Sequence, residues 1–447
     1  MANATDERNS ANQPRPAPHQ VAWQDLELGL IYHFDMPVYL PEGWEWNPAH
    51  QTTLDPNAYN PTRLDTDQWL EAAKEMGARY AVFTATHMGG FLQWQSDLYP
   101  YGVKQTRWRE GKADVVRDFV ASCRRAGVKP GLYLSTRFNA WWEVSGTQVN
   151  FGKGDDREKQ AQYVRTCEKM VEEICSRYGE LVEIWFDGGV MTPDKGGPDV
   201  LPVVEKHQPN IIFYSSAQRI DKRWAGNEDG VTGRPCWATM PKTRDWYHGG
   251  DLRFLGTGDP GGELWCPAMA DAPLRGSAGK HEWFWRPNDE DAVYSLDDLV
   301  DRYERSVGRN ANLIIGMTPD RDGLVPEVDM RRCREFGEAV RRRYGNPVAE
   351  TKGNGETLEL APPKPSRIDR AVVMEDITHG ERVREYAIEG LVPGGQWREI
   401  CRGESIGHKR IERFEPIEAS KVRLRVARSI APPRIRSFAV FRAGQAS

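Results

Sequence analysis

The stretch EIWFDGG, residues 183–189, decides the fold. A mostly apolar run begins at Leu181 and ends directly in Asp187 and two glycines. This pattern predicts a short buried strand that ends in a carboxylate and is followed by a sharp turn, which glycine permits. An α/β barrel places its catalytic groups at this end of its strands. The alternative is an aspartate that only caps the turn or the next helix, and this stretch alone leaves both interpretations open.

Strand-like and helix-like segments alternate on both sides of this stretch. This alternation predicts parallel strands joined by crossover helices, and the length between residues 28 and 345 suits a (β/α)8 barrel. A doubly wound sheet is the alternative, although no G-x-G-x-x-G motif follows the first strand. A further barrel strand is expected between residues 285 and 310, where no strand-like run is found. The other strand-like runs are 29–34, 80–87, 129–135, 211–216 and 312–317, and the helix-like runs are 65–78, 114–128, 156–179 and 296–308.

The character of the chain changes towards both ends. Residues 1–20 are polar and contain several prolines, which predicts disorder. After Gly345, short alternating runs separated by Gly and Pro turns predict a small antiparallel β-sandwich. We therefore predict an α/β protein with a disordered segment at 1–20, a (β/α)8-like TIM-barrel catalytic domain at 21–347 and an antiparallel β-sandwich domain at 348–447. The sandwich either binds sugar or only packs against the barrel.

Composition excludes several classes of function. The net charge of −5 gives no electrostatic case for binding nucleic acid. No apolar run is long enough to cross a membrane, so we expect no membrane partner. The N-terminus has no apolar signal-peptide core, which predicts a cytoplasmic protein, or a periplasmic or secreted one if a leader has been trimmed. Seven cysteines without a CxxC pair indicate reduced thiols. The 16 tryptophans exceed an ordinary number, which suits stacking on sugar faces, although several are expected to be core residues.

Polar residues stand at the ends of the predicted strands, where a barrel gathers them into one pocket. They are His33, His87, Ser135, Asp187 and Ser215. Each histidine taken alone is better explained as a structural residue, whereas several polar residues at equivalent ends of successive strands favour a site.

Glycoside hydrolysis also needs a second carboxylate, and Glu228 in the loop RWAGNEDG (223–230) is the best candidate. Its alternative is a solvated loop position. A zinc site built from His33, Asp35, His87 and Asp187 is disfavoured because the first strand has no HxH and no strand ends in a suitable lysine. We predict neither a metal nor a cofactor.

These motifs resemble glycoside hydrolase family 29, the α-L-fucosidases, and especially its branch that acts on α-1,3/1,4-linked fucose. The resemblance spans about residues 28–445, and its motifs occur in the same order along the chain. It implies a retaining exo-α-L-glycosidase in which Asp187 is the nucleophile and Glu228 the acid/base. The matching stretches are EIWFDGG, RWAGNEDG, GLIYHF (29–34), FTATHMGGFLQW (83–94) and SVGRNANLIIGMTPDRDGLVPE (306–327). The predicted substrate-binding residues are His33, Glu45, His87, Trp94, Tyr133, Arg223 and Trp283.

Four departures from the family pattern bear on specificity. Met88 and Gly89 replace a second histidine and an aspartate, while Met269 and Pro273 stand where the branch carries a glutamate and a small or β-branched residue. Lost hydrogen-bonding groups weaken discrimination between sugars. We therefore predict that the partner of this protein is an oligosaccharide or glycoconjugate. Three hypotheses remain for its function: an α-L-fucosidase, a glycosidase for another sugar such as α-L-galactose, or a glycan-binding protein without hydrolytic activity.

Overall fold

The computed structural model describes residues 13–41, 53–149, 156–242 and 254–442. Within these ranges the part of the chain before residue 345 contains ten strands. They are β1 Leu28–Tyr32, β2 Tyr80–Thr86, β3 Lys129–Leu134, β4 Glu183–Val190, β5 Ile212–Ser216, β6 Arg223–Trp224, β7 Thr239–Met240, β8 Leu264–Trp265, β9 Ala268–Pro273 and β10 Ala311–Met317.

Eight of these strands form one parallel sheet in the order β5-β4-β3-β2-β1-β10-β9-β6. The sheet curls into a nearly closed barrel, with β5 and β6 at its two edges. Strands β7 and β8 pair antiparallel outside it. This architecture confirms the predicted (β/α)8-like barrel.

The helices cover the outside of the barrel. Aspartate side chains cap the N-termini of α2 (Thr66–Met76) and α3 (Val115–Ala126), and a left-handed glycine follows each helix, Gly77 after α2 and Gly127 after α3. The helices are α1 Pro18–Gln24, α2 Thr66–Met76, α3 Val115–Ala126, α4 Arg157–Arg177, α5 Leu201–His207, α6 Leu296–Ser306 and α7 Glu327–Tyr344.

Two expectations about boundaries need correction. Residues 18–20 open α1, and the buried Gln20 side chain donates hydrogen bonds to the carbonyls of Asp221 and Trp265, so the predicted disordered segment extends too far. Residues 1–12 lie outside the described residues. No strand lies between 285 and 310, which are all described; the barrel strands that the sequence reasoning missed are β9 and the two-residue β6, which opens the stretch predicted as a loop.

The alternation of side chains along β4 determines which groups enter the barrel. Ile184 and Phe186 pack outward into the core shared with the helices. Glu183 and Trp185 point inward, because successive side chains of a strand face opposite sides. Asp187 continues the inward series at the carboxyl end of the strand. The local sequence therefore aims this carboxylate at the mouth of the barrel.

The C-terminal part of the described chain is a β-sandwich, as predicted. Its two antiparallel sheets have the orders β11-β18-β13-β16 and β12-β17-β14-β15, and they enclose a separate apolar core. The strands are β11 Ala349–Asn354, β12 Thr357–Leu360, β13 Ser366–Glu375, β14 Val383–Val392, β15 Gln396–Gly403, β16 Arg410–Ala419, β17 Lys421–Ser429 and β18 Arg434–Arg442.

All seven cysteines are free, which agrees with the expected reduced thiols. Among the described helices, none combines the length and the apolar character that a bilayer crossing requires.

Candidate active site

A cavity of about 550 Å³ opens at the carboxyl end of the barrel strands. Its walls come from β1, β3, β4 and β9, from the turn after β2 and from the loops after β6 and β9. It brings together five of the predicted site residues with Glu228, which a loop contributes. The lining residues are Ile31, His33, His87, Met88, Tyr133, Trp185, Asp187, Glu228, Asp271, His281, Glu282, Trp283, Phe284 and Arg286.

Asp187 is held in place from two directions. The Tyr133 hydroxyl donates a 2.8 Å hydrogen bond to Asp187 Oδ2. The next residue, Gly188, has φ +64°, and its carbonyl accepts a 2.9 Å hydrogen bond from Arg137 Nη1. A Cβ at Gly188 would lie 2.7 Å from the Cδ atom of Arg137. The glycine predicted from the sequence is therefore needed for both the turn and the close approach.

Burial raises the pKa of Asp187, and the charge of Glu228 adds to this shift, whereas the Tyr133 hydrogen bond lowers the pKa. We expect Tyr133→Phe to raise the pKa further, because the carboxylate loses a donor that stabilises its charged form. The acid limb of the kcat/KM–pH profile, which reports the free enzyme, should then move to higher pH. A profile recorded between pH 3 and pH 9 checks this shift. An unchanged acid limb would show that the hydroxyl does not support the charge of Asp187.

Glu228 meets the cavity from the loop after β6. Its Oε2 atom accepts a 2.9 Å hydrogen bond from Trp283 Nε1 and lies 2.5 Å from His281 Nε2. The side chain is about half-exposed, so both solvent and a leaving group can reach it. Trp283 was predicted as an apolar sugar face; the structure adds that its indole N–H orients the carboxylate.

Two histidines and the neighbouring aromatic rings form the inner wall. The rings of His87 and Tyr133 stack with centroids 5.3 Å apart, and His33 lies 5.0 Å from Trp283 and 5.4 Å from Phe284. Burial lowers the pKa of His33 to about 3 and also lowers that of His87. Both imidazoles are therefore neutral and can donate to or accept from a sugar hydroxyl without adding charge to the cavity.

The carboxylate of Asp35 does not join the cavity. It accepts hydrogen bonds from the backbone N–H groups of Met36 and His87, at 2.6 and 3.1 Å, and burial raises its pKa to about 7. It positions the turn that carries His87. In the described part of the chain, no three His, Cys, Asp or Glu side chains are grouped so that they could hold a metal ion.

Two predicted sugar contacts are corrected. Trp94 is fully buried, and its indole N–H donates to Glu173 Oε2 on α4 at 2.7 Å. Arg223 is also fully buried, and its guanidinium donates to the carbonyls of Leu255, Trp237 and Cys266. Both side chains hold loops and helices together outside the cavity. Glu45 lies outside the described residues.

Of the sequence departures, only Met88 lines the cavity. Met269 is fully buried inside the barrel, with its sulfur 2.9 Å from Lys222 Nζ. The prediction that Met269 removes a polar contact to the glycan is therefore wrong, because its side chain faces the barrel core.

Sequence reasoning missed several lining residues, of which Asp271 is the most informative. Asp271 lies on β9, and its Oδ1 atom accepts a 2.7 Å hydrogen bond from Trp224 Nε1. Burial raises the pKa of Asp271 well above its ordinary value, and the charge of Glu228 adds to this shift. An aspartate within a short apolar run was the available signal, but its strand was not recognised. His281 and Arg286 stand in a loop with no periodic pattern, so no sequence signal marked them.

A barrel whose strand ends and loops gather carboxylates, neutral histidines and indole rings in one cavity suits a sugar-cleaving enzyme. Comparison with known proteins identifies the class: residues 9–345 match the family model described as "Alpha-L-fucosidase". The chain belongs to the α-L-fucosidase family and is a glycoside hydrolase.

Individual relatives agree with this assignment. A Bacteroides thetaiotaomicron protein provisionally named an α-L-fucosidase has a crystal structure that superposes with a TM-score of 0.93 at 46% identity, covering 97% of this chain and all of that one. A glycoside hydrolase 29 family member from an unknown rumen bacterium gives a TM-score of 0.82 at 28% identity, covering 97% of this chain and 78% of that one. Alpha-L-fucosidase 1 of Arabidopsis thaliana is 26% identical over 94% of this chain and 86% of its own length.

Proposed function

We propose that this enzyme is a retaining exo-α-L-fucosidase that removes terminal α-1,3- or α-1,4-linked L-fucose from oligosaccharides or glycoconjugates. The observation that carries the proposal is the pairing of Asp187, partly buried and bonded to Tyr133, with the half-exposed Glu228 in one cavity. A nucleophile needs a fixed, shielded position, while an acid/base must exchange its proton with water. The two environments match these two roles.

In the first step Asp187 Oδ attacks the anomeric carbon and the glycosidic C–O bond breaks. The proton of Glu228 passes to the departing oxygen, so the glycan leaves as a neutral alcohol and the sugar stays esterified to Asp187.

In the second step water attacks the same carbon, gives its proton to Glu228 and releases the Asp187 carboxylate. Two displacements restore the configuration of the sugar. This scheme predicts carboxyl groups about 5–5.5 Å apart.

The apolar lining supports a 6-deoxy sugar. Ile31, Met88, Trp185, Trp283 and Phe284 offer hydrocarbon and ring surface to the ligand. L-Fucose carries a methyl group where L-galactose carries a hydroxymethyl group. An apolar wall favours the methyl group, because the hydroxyl of L-galactose would have to give up its hydrogen bonds to water there. Comparing kcat/KM on nitrophenyl α-L-fucoside with kcat/KM on the α-L-galactoside measures this preference. A higher kcat/KM on the galactoside would show instead that Met88 tunes the site for α-L-galactose.

Removal of Glu228 tests the mechanism. We expect Glu228→Ala to lower kcat/KM about 10²–10⁴-fold on a fucosylated trisaccharide, whose leaving oxygen needs a proton. On α-L-fucosyl fluoride, whose fluoride leaving group needs much less protonation, kcat/KM should fall less than about 10-fold. Asp229→Ala, in the same loop and exposed, is the matched control and should leave both values unchanged.

Proton NMR of the wild-type reaction should show the α-anomer of fucose as the first product. First formation of the β-anomer would establish inversion and would remove Asp187 from the role of nucleophile. Equal losses on both substrates in Glu228→Ala would remove Glu228 from the role of acid.

A further inference from the structure

The loop after β3 carries an exposed indole beside the cavity. Of the large apolar side chains in the described ranges, only Trp141 is exposed, at 39% of its surface. Its neighbour Trp142 turns the other way and packs against Tyr163 and Tyr99, with ring centroids 5.9 and 6.2 Å apart. Trp142 anchors the loop, while Trp141 faces solvent.

The exposed indole rests on two tyrosines. The rings of Trp141 and Tyr101 are 5.3 Å apart and inclined by 9°, and those of Trp141 and Tyr99 are 6.5 Å apart and inclined by 14°. Both tyrosines are buried. Trp141, Tyr99 and Tyr101 therefore form an aromatic platform in which two nearly parallel tyrosine rings hold the indole in place. The exposed part of the indole is a rigid apolar surface that loses little entropy when a ligand covers it.

The loop that carries the platform is tied to the active site. The backbone N–H of Ala140 donates a 2.9 Å hydrogen bond to the carbonyl of Met88, which lines the cavity. At the start of the loop, Arg137 bonds the carbonyl of Gly188, the residue after Asp187. Trp141 follows Ala140 directly, so the platform adjoins a segment that is bonded to the cavity wall.

We propose that the aromatic platform binds a sugar of the leaving group, on the far side of the bond that the enzyme cleaves. This inference rests on the proposed function, because it places the leaving glycan next to a cavity that holds the fucose. A pyranose ring has a face of C–H bonds that matches a flat indole in size and polarity. The ligand class is therefore a fucosylated oligosaccharide with at least two sugars beyond the fucose.

Two substrates separate this role from catalysis. The first is a trisaccharide in which α-L-fucose branches from the N-acetylglucosamine of galactosyl-N-acetylglucosamine, and the second is α-L-fucosyl fluoride, which has no leaving sugar. We expect Trp141→Ala to lower kcat/KM on the trisaccharide about 10-fold, because the contact removes apolar surface from water. The value on the fluoride should stay within about twofold, because the cavity itself is unchanged.

Two further variants control for damage to the fold. Trp141→Phe keeps a flat ring and should retain most of the trisaccharide activity. Trp397→Ala removes a half-buried tryptophan of β15 in the sandwich, beneath Arg423, and should affect both substrates equally or not at all. An equal loss on both substrates in Trp141→Ala, or no loss on either, overturns the proposal.

Binding of the fucose-free disaccharide gives a second readout that does not need turnover. Saturation-transfer NMR should show contact between galactosyl-N-acetylglucosamine and the wild-type protein, and the signal should vanish in Trp141→Ala. If the wild type hydrolyses neither substrate, the proposed function fails, whereas this binding result still decides the platform. Equal signals in wild type and variant would overturn the platform alone.

Discussion

Asp187→Ala should lower kcat on any α-L-fucoside by on the order of 10⁴-fold or more, because the removed carboxylate forms the covalent bond in the first step. The fold should persist. Asp187 is at the open end of the barrel, and its replacement removes a partly buried charge without opening the apolar core. Circular dichroism and the melting temperature of the variant check that point.

Azide distinguishes loss of the nucleophile from general damage. The alanine leaves a space in which a small anion can attack the anomeric carbon, so azide should restore turnover of an activated fucoside and yield β-L-fucosyl azide. Asp199→Ala is the matched control: it removes an exposed aspartate from the segment after β4 and should keep activity within about twofold, as surface changes usually do. Substantial azide-independent activity in Asp187→Ala would assign the nucleophile to another group.

The strand-end pattern made part of this site readable from sequence. Asp187 could be predicted because an apolar run leads into it and two glycines follow it, so strand, direction and turn are all encoded locally. His33, His87 and Tyr133 were predicted on the same principle or by resemblance, and the structure places all three in the cavity wall.

The residues that were predicted wrongly or missed depend on tertiary contacts, which no local sequence pattern contains. Strand β9 reads AMADAP, with small residues, an aspartate and a proline that disfavour a strand, and its pairing with β10 and β6 makes it one. Asp271 was missed with it. Trp94 and Arg223 stand in motif-like stretches, yet whether such side chains face a cavity or a neighbouring loop is decided by tertiary packing.

The barrel interior holds an ion pair that no functional motif indicated. Lys222 and Glu183 bond to each other with both side chains fully shielded from water. Trp23 Nε1 donates to the second carboxylate oxygen at 3.1 Å, and the ammonium lies 4.5 Å from the ring centre of Trp185, which lines the cavity. The pair therefore lies beneath the cavity and supports its wall. Burial lowers the pKa of Lys222, while the charge of Glu183 opposes that shift.

Lys222→Met should lower the free energy of unfolding by about 3–5 kcal/mol, because it leaves the Glu183 carboxylate buried without a partner. The double variant Lys222→Met/Glu183→Leu should recover part of this loss, since the apolar pair removes the unpaired charge but leaves the buried Trp23 N–H without its acceptor. Lys112→Met, which breaks an exposed pair with Glu110, is the control and should cost less than about 1 kcal/mol. Urea unfolding followed by tryptophan fluorescence measures all three.

If the single variant were as stable as the wild type, water or a proton would be reaching Glu183, and the pair would not support the wall of the cavity. A double variant that is stable but slow on fucosyl fluoride would instead show that the ammonium under Trp185 acts on the active site through its charge as well as through packing.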